Sequence, residues 1–142
     1  MKKRSAASSK SKPHSSPTLF IDRSLGRYDV AAALREAGAR VEIHDDHFPA
    51  NADDDDWLVA VGKRGWIVLT KDTRIRYRPN EIAAIKDANV IAMVLTVGNV
   101  TGEQMAKLFV KALPRICKQA AISSPPALFT FGRDGRLTKH RL

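Results

Sequence analysis

Short runs of apolar residues alternate with longer segments of mixed polarity along most of the chain. The runs are rich in residues that form buried strands, and they are too short for core helices. They predict strands at Thr18–Ile21, Arg40–His44, Trp66–Thr70 and Val90–Thr96. The segments between them place apolar residues at helical spacing, as Val30, Ala33 and Leu34 do. This order predicts an α/β fold, a three-layer α/β/α sandwich with a mainly parallel central sheet.

The last third of the chain predicts one long helix followed by a hairpin. The segment Thr101–Ile122 has helical periodicity, and we expect a kink or break at Pro114 because proline removes a backbone donor. Two strand-like runs, Ala127–Phe131 and Arg136–His140, are separated by the turn sequence "GRDG". They predict a C-terminal β-hairpin.

The basic residues point to an anionic partner. Residues 1–17 are mostly Ser, Lys and Pro, which predicts a disordered basic tail ahead of a folded domain at residues 18–142. The whole chain has 24 Lys and Arg against 15 Asp and Glu, a net charge of +9. Nucleic acid is the first candidate partner and an anionic membrane surface the second.

The cysteine content and the hydropathy favour a cytoplasmic protein. Cys117 is the single cysteine, so it cannot form a disulfide within the chain, and its apolar helical setting predicts a buried, inert thiol. No apolar run approaches the roughly 18–20 residues that span a bilayer. The N-terminus also lacks the apolar core of a secretory signal.

The acidic residues concentrate where the predicted strands end. Asp22 follows the first strand, Asp45 and Asp46 follow the second, and Asp72 follows the third. Four consecutive aspartates, Asp53–Asp56, open the helix that leads into the third strand. The carboxyl ends of parallel strands meet at one edge of a sheet, so these carboxylates should converge there.

Converging carboxylates repel each other unless a cation offsets their charge. Mg²⁺ or Mn²⁺ prefers such oxygen ligands and leaves positions open for a phosphate, which suits a phosphodiester substrate. Each acid also has a simpler reading. One member of the aspartate run should cap its helix, and Asp22 or Asp72 could be a turn or capping residue. Zinc at His44 and His47 is disfavoured, because the chain has neither a cysteine cluster nor a helical histidine pair.

The phrases "LFIDRSLG", "DDDDWL" and "GWIVLTKD" resemble the PIN-like ribonuclease superfamily, in particular the small bacterial members related to VapC toxins. The likeness extends from about Thr18 to Leu95, with weaker support through the long helix. It identifies residues 18–142 as a PIN-like domain. It implies a metal-dependent endoribonuclease that uses Mg²⁺ or Mn²⁺ and acts as the toxin of a type II toxin–antitoxin pair.

The resemblance assigns the metal site to Asp22, Asp54 and Asp72. Asp54 is chosen from the aspartate run because it precedes Asp72 by about eighteen residues, as in the family, and Asp55 is the fallback. The family's usual further acids are not matched here, since Arg74 stands at one of their positions and neither Glu36 nor Glu42 fits the other. The remaining assignments are Thr70 as a hydroxyl beside the site, His47 as a supporting residue and Asp46 as the candidate fourth ligand.

The expected substrate is RNA. Arg74, Arg76 and Arg78 alternate after Asp72 with Tyr77 among them, a pattern that can hold a phosphate backbone and stack a base. Other candidate backbone contacts are Lys71 and Arg23. The resemblance also implies a small antitoxin protein as partner. It further implies a possible homodimer, because members of the family often pair.

Two other functions stay open at this stage. The chain could be a nucleic-acid-binding protein that keeps the fold without the chemistry. A receiver-like signalling module fits less well, because it expects a pair of acids after the first strand and Asp22 is followed by Arg23.

Overall fold

The computed structural model describes residues 17–26, 28–72 and 79–142. The predicted N-terminal tail lies outside these residues except for Pro17, and so do Arg74, Arg76 and Arg78.

The described chain forms one sheet flanked by helices. The strands are β1 (Thr18–Ile21), β2 (Arg40–Ile43), β3 (Ile67–Lys71), β4 (Ile91–Leu95), β5 (Ala127–Phe131) and β6 (Thr138–His140). The helices are α1 (Asp29–Glu36), α2 (His44–His47), α3 (Asp54–Lys63), α4 (Pro79–Ala88) and α5 (Gly102–Ile122), with a 3₁₀ turn at Arg23–Leu25.

The sheet has the strand order β2-β1-β3-β4-β5-β6. Strands β1 to β5 pair in parallel, and β6 pairs antiparallel to β5. The predicted α/β fold with a mainly parallel sheet and a C-terminal hairpin is therefore confirmed. All the carboxyl ends of β1 to β5 lie at one edge, which we call the carboxyl edge.

Alternate residues of each strand divide the core into two layers. On β1, Leu19 and Ile21 pack with α1 and α5, whereas Phe20 faces the opposite way and packs with α3 and α4. This period-two alternation explains why the strands read as continuous apolar runs, since both faces of the sheet are covered. None of the helices in the described residues combines the length and apolarity that a bilayer span requires.

Two details differ from the sequence predictions. The second strand ends at Ile43, because His44 begins the short helix α2 instead of completing the strand. Helix α5 is not broken at Pro114 but runs unbroken from Gly102 to Ile122. Its start is fixed by a capping box, in which Thr101 and Gln104 exchange side-chain and backbone hydrogen bonds.

Gly62 sets how closely α3 approaches α4. A Cβ at this position would collide with the backbone carbonyl oxygen of Ala88 and lie 2.9 Å from Val90 Cγ1. We expect Gly62→Ala to lower the free energy of unfolding by about 1–3 kcal/mol, because backbone must move to relieve the overlap. Urea denaturation measures this. Gly98→Ala is the matched control, since its Cβ would meet nothing within 4 Å, and equal stability of the two variants would contradict the prediction.

Candidate functional site

The backbone brings Asp22 and Asp72 to neighbouring positions at the carboxyl edge. Strands β1 and β3 are adjacent, with Ile21 opposite Leu69. Each aspartate extends the sheet by one residue, since the Asp22 amide donates to the Leu69 carbonyl at 3.2 Å and the Asp72 amide to the Leu95 carbonyl at 3.0 Å. Their side chains therefore start from fixed backbone rather than from free loops.

Hydroxyl groups hold the Asp22 carboxylate on both of its oxygens. Oδ1 accepts from the Ser24 amide at 2.8 Å and also from the Ser24 hydroxyl, and Oδ2 accepts from the Thr70 hydroxyl. Ser24 Oγ in turn accepts from the Lys71 amide at 3.1 Å. Thr70 thus lies beside the acid, at the position that the resemblance gave it. Ser24 was not singled out from the sequence, although a serine two residues after a strand-end aspartate is a common turn signal.

Burial raises the pKa of the Asp22 carboxyl above its ordinary value, and the nearby charge of Asp54 acts in the same direction. The hydrogen bonds from Ser24 and Thr70 oppose this rise in pKa and only partly offset it. When this carboxyl is ionised, the protein around it compensates its charge incompletely. A cation would relieve that cost.

This raised pKa predicts that Asp22→Asn stabilises the fold. A carboxyl whose pKa is higher in the folded state favours folding most at low pH, and this contribution is lost as the pH rises through the folded pKa. Above it, the ionised group destabilises the wild type but not the variant. We expect the variant's Tm to exceed that of the wild type by an order of a few degrees at neutral pH, with the difference shrinking in acid.

Melting curves of both proteins in metal-free buffer, from about pH 4 to about pH 8, measure this difference. A variant that melts below the wild type at neutral pH would show that the hydrogen bonds of Asp22 outweigh its burial.

The aspartates of the run Asp53–Asp56 differ in their contacts. Asp53 occupies the N-cap position of α3, but its side chain makes no capping hydrogen bond within the described residues. The expected side-chain cap is therefore not observed. Asp54 instead accepts a hydrogen bond from Nε1 of the buried Trp57 at 3.0 Å. That contact fixes Asp54 close enough to Asp22 for its charge to raise the Asp22 pKa.

A cleft of about 350 Å³ opens at the carboxyl edge, between the starts of α3 and α4. It brings together the three predicted acids, and its polar lining comprises Asp22, Ser24, Asp54, Asp55, Thr70, Lys71, Asp72, Asn80 and Glu81. Asn80 and Glu81 were not identified from the sequence. The available signal was Pro79, which marks the start of the helix that follows the third strand, and a helix start after a parallel strand lies toward the carboxyl edge.

Three other predicted residues do not line this cleft, although Arg23 lines an adjoining cavity together with Asp22 and Asp54. Asp46 is exposed on α2 and is not part of the lining. His47 Nε2 lies 2.7 Å from Glu42 Oε1, and its ring packs edge-on against Trp66. Arg23 contacts Asp45 at 3.2 Å and donates to the Ala50 carbonyl.

His44 is buried, although its sequence setting suggested a strand end beside a loop. Only 2% of its surface is exposed, and its ring contacts Phe20, Phe48 and Trp57. This aromatic packing gives His44 a structural role on the α3 side of the sheet.

The donor chemistry of the cleft suits a hard divalent cation. Carboxylate and hydroxyl oxygens line it, whereas the described histidines and Cys117 do not. Within residues 17–26, 28–72 and 79–142, no three acidic, histidine or cysteine side chains form a ready ligand cluster. Mg²⁺ needs only one or two protein carboxylates together with waters and a substrate phosphate, so Asp22 and Asp54 would provide enough protein ligands for it.

Comparison with known proteins identifies the family of the chain. A protein-family model described as "PIN like domain" matches residues 17–97, which include β1 to β4 and every residue that lines the cleft. A protein of Mycobacterium tuberculosis (strain ATCC 25618 / H37Rv) named "Putative ribonuclease VapC45" is 28% identical, over 75% of this chain and 80% of its own length. No solved structure matches the chain. Since the family model covers more than half of the sequence, the chain belongs to the PIN-like domain family.

Proposed function

We propose that the protein is a metal-dependent endoribonuclease whose active site is the cleft at the carboxyl edge. The observation that carries this is geometric: Asp22, Asp54 and Asp72 line one cleft, where the hydroxyl groups of Ser24 and Thr70 hold the Asp22 carboxylate. Similarity to the mycobacterial protein named as a ribonuclease supports the reaction class. The proposed cofactor is Mg²⁺ or Mn²⁺, held by Asp22, Asp54 and Asp72, with Asp55 as the alternative within the run.

When bound, the cation would activate water for attack on a phosphodiester and stabilise the leaving oxygen. The chain's own residues orient and neutralise the reactants. Ser24 and Thr70 fix the direction of the Asp22 carboxylate through their hydroxyl groups. Lys71 lines the cleft and supplies a positive charge for the substrate phosphate.

We propose Glu81 as the fourth acid of the site. The sequence offered Asp46 for this position, but Asp46 lies outside the cleft whereas Glu81 lines it from the first turn of α4. A carboxylate there can accept the proton that the attacking water releases. This role needs no direct bond between Glu81 and the cation.

The proposed substrate is RNA, because the chain is basic and because it is similar to a protein named as a ribonuclease. An excess of nine positive charges favours a polyanion, although the cleft itself is acidic. The basic surface would hold the backbone while the acids act at one phosphate. From the relationship to VapC45 we also propose that the protein is the toxin of a type II toxin–antitoxin pair, with a small protein as its inhibitor.

The test is cleavage of single-stranded RNA by the purified protein, with Mn²⁺ or Mg²⁺ and with a chelator. We expect cleavage that requires the added metal. Cleavage that persists in the chelator would contradict the metal-dependent mechanism. Binding of RNA without cleavage under all conditions would instead favour a nucleic-acid-binding protein that keeps the fold without the chemistry.

A further inference from the structure

The cleft extends beyond the residues that the proposed chemistry uses. Its inner part is lined by side chains of the core, which we call the apolar wall: Trp57, Leu58, Val68, Ala84, Ile85 and Ala92. Close packing normally fills such apolar space. An open cavity that joins apolar side chains to a few polar groups is typical of a small-molecule site, and about 350 Å³ is within the usual range.

Two features of the packing keep this space open. Helices α3 and α4 meet closely at Gly62 and Ala88, near the ends away from the carboxyl edge. Their opposite ends border the cleft, and the apolar side chains that α4 contributes there are Ile85 and the small Ala84. On the sheet side, Val68 has the small side chain of Ala92 as its partner on the neighbouring strand, and both line the cleft.

The chemistry of the two parts together defines the ligand. The acidic residues suit a cation and the phosphate that it would bind, while the apolar wall suits a flat, uncharged group attached to that phosphate. Asn80 also lines the cleft and offers both a donor and an acceptor. A nucleobase has these properties on its faces and its edge.

We propose that the apolar wall forms a subsite for one unpaired nucleobase next to the scissile phosphate, and that Asn80 contacts the edge of that base. This inference rests on the proposed function and makes it more specific. A base can enter only when it is free of its pairing partner. The subsite therefore adds a requirement for a base at one particular position to the proposed cleavage of single-stranded RNA.

The experiment combines a variant whose subsite is filled by a larger side chain with RNA substrates that lack one base. Ala84→Leu places a large side chain in the wall, and Ala83→Leu makes the same change at an exposed position of α4 outside the cleft. The substrates are one single-stranded RNA and a set of copies, each with an abasic residue at one position. The readout is kcat/KM for each protein with each substrate.

We expect one abasic position, beside the cleavage site, to lower kcat/KM about 10-fold in the wild type and in Ala83→Leu. Ala84→Leu should be slower on intact RNA and insensitive to the abasic residue at that position. Stabilisation by Mn²⁺, measured as a rise in Tm, should persist in Ala84→Leu and show that the variant is folded with an intact acidic site. Asn80→Ala should reduce the preference for one base at the same position.

Equal abasic penalties in the wild type and Ala84→Leu would overturn the subsite, as would cleavage by Ala84→Leu at the wild-type rate. If the wild type cleaves no RNA, the proposed function fails, and the same comparison is made for oligonucleotide binding by fluorescence anisotropy. A position-specific abasic effect that Ala84→Leu removes would then still support the subsite. Its absence would overturn the subsite as well.

Discussion

Asp22→Asn is expected to reduce RNA cleavage by on the order of 10³-fold while leaving the protein folded. Asparagine keeps the size of the side chain but removes the negative charge that the proposed cation requires. Because the same change removes an ionised carboxyl whose pKa is raised by burial, the inactive variant should also be the more heat-resistant one. Loss of activity with a gain of stability is the signature of a site that stores unfavourable charge for function.

Initial rates with saturating Mn²⁺ and the Tm of each protein measure both effects. Asp87→Asn provides the matched control, since Asp87 is an exposed aspartate of α4 that does not line the cleft. It should cleave at the wild-type rate. Wild-type cleavage by Asp22→Asn would remove Asp22 from the active site.

The aspartate run yields the second large effect. Asp54→Asn should lower cleavage by about 10²-fold or more, whereas Asp56→Asn should change it by less than about 2-fold. Both residues are exposed and lie in the first turn of α3, but only Asp54 lines the cleft and contacts Trp57. The Trp57 hydrogen bond is retained in Asp54→Asn because the amide oxygen still accepts, so the loss would reflect charge and not packing.

Titration of Mn²⁺ by calorimetry should show weaker binding in Asp54→Asn and unchanged binding in Asp56→Asn. Asp55→Asn decides between the two candidates in the run, since Asp55 also lines the cleft. A larger loss in Asp55→Asn than in Asp54→Asn would move the ligand by one residue. Equal effects at Asp54 and Asp56 would mean that the run acts only through its summed charge.

The fold was readable from the sequence because both faces of the sheet are covered. Most of the five parallel strands therefore stand out as apolar runs, and the strand ends locate Asp22 and Asp72 without further information. The end of the second strand differs from the prediction, because side-chain packing competes there with strand propensity. His44 leaves the strand because its ring fills a place among Phe20, Phe48 and Trp57.

The sequence predicted those acidic residues whose place in the site follows from their position at the end of a strand. Asp46 and His47 follow a strand just as Asp22 does, but the short helix α2 turns them away from the cleft. Ser24 and Glu81 were missed because their place in the site depends on a turn and on the start of α4, and strand pattern does not report either. Which aspartate of the run meets Asp22 depends on the rotation of α3, which the Trp57 contact fixes.

The clustering of aromatic rings gives the protein a built-in optical reporter. Its two tryptophans, Trp57 and Trp66, both lie against Phe20, with ring centroids 5.4 and 6.0 Å away. Trp57 Nε1 also donates a hydrogen bond to the Asp54 carboxylate. Indole emission responds to nearby charge, so intrinsic fluorescence should report events at the cleft and be blind to the α1–α5 side of the sheet. If the proposed cation binds, its uptake should be measurable without a label, in the unmodified protein.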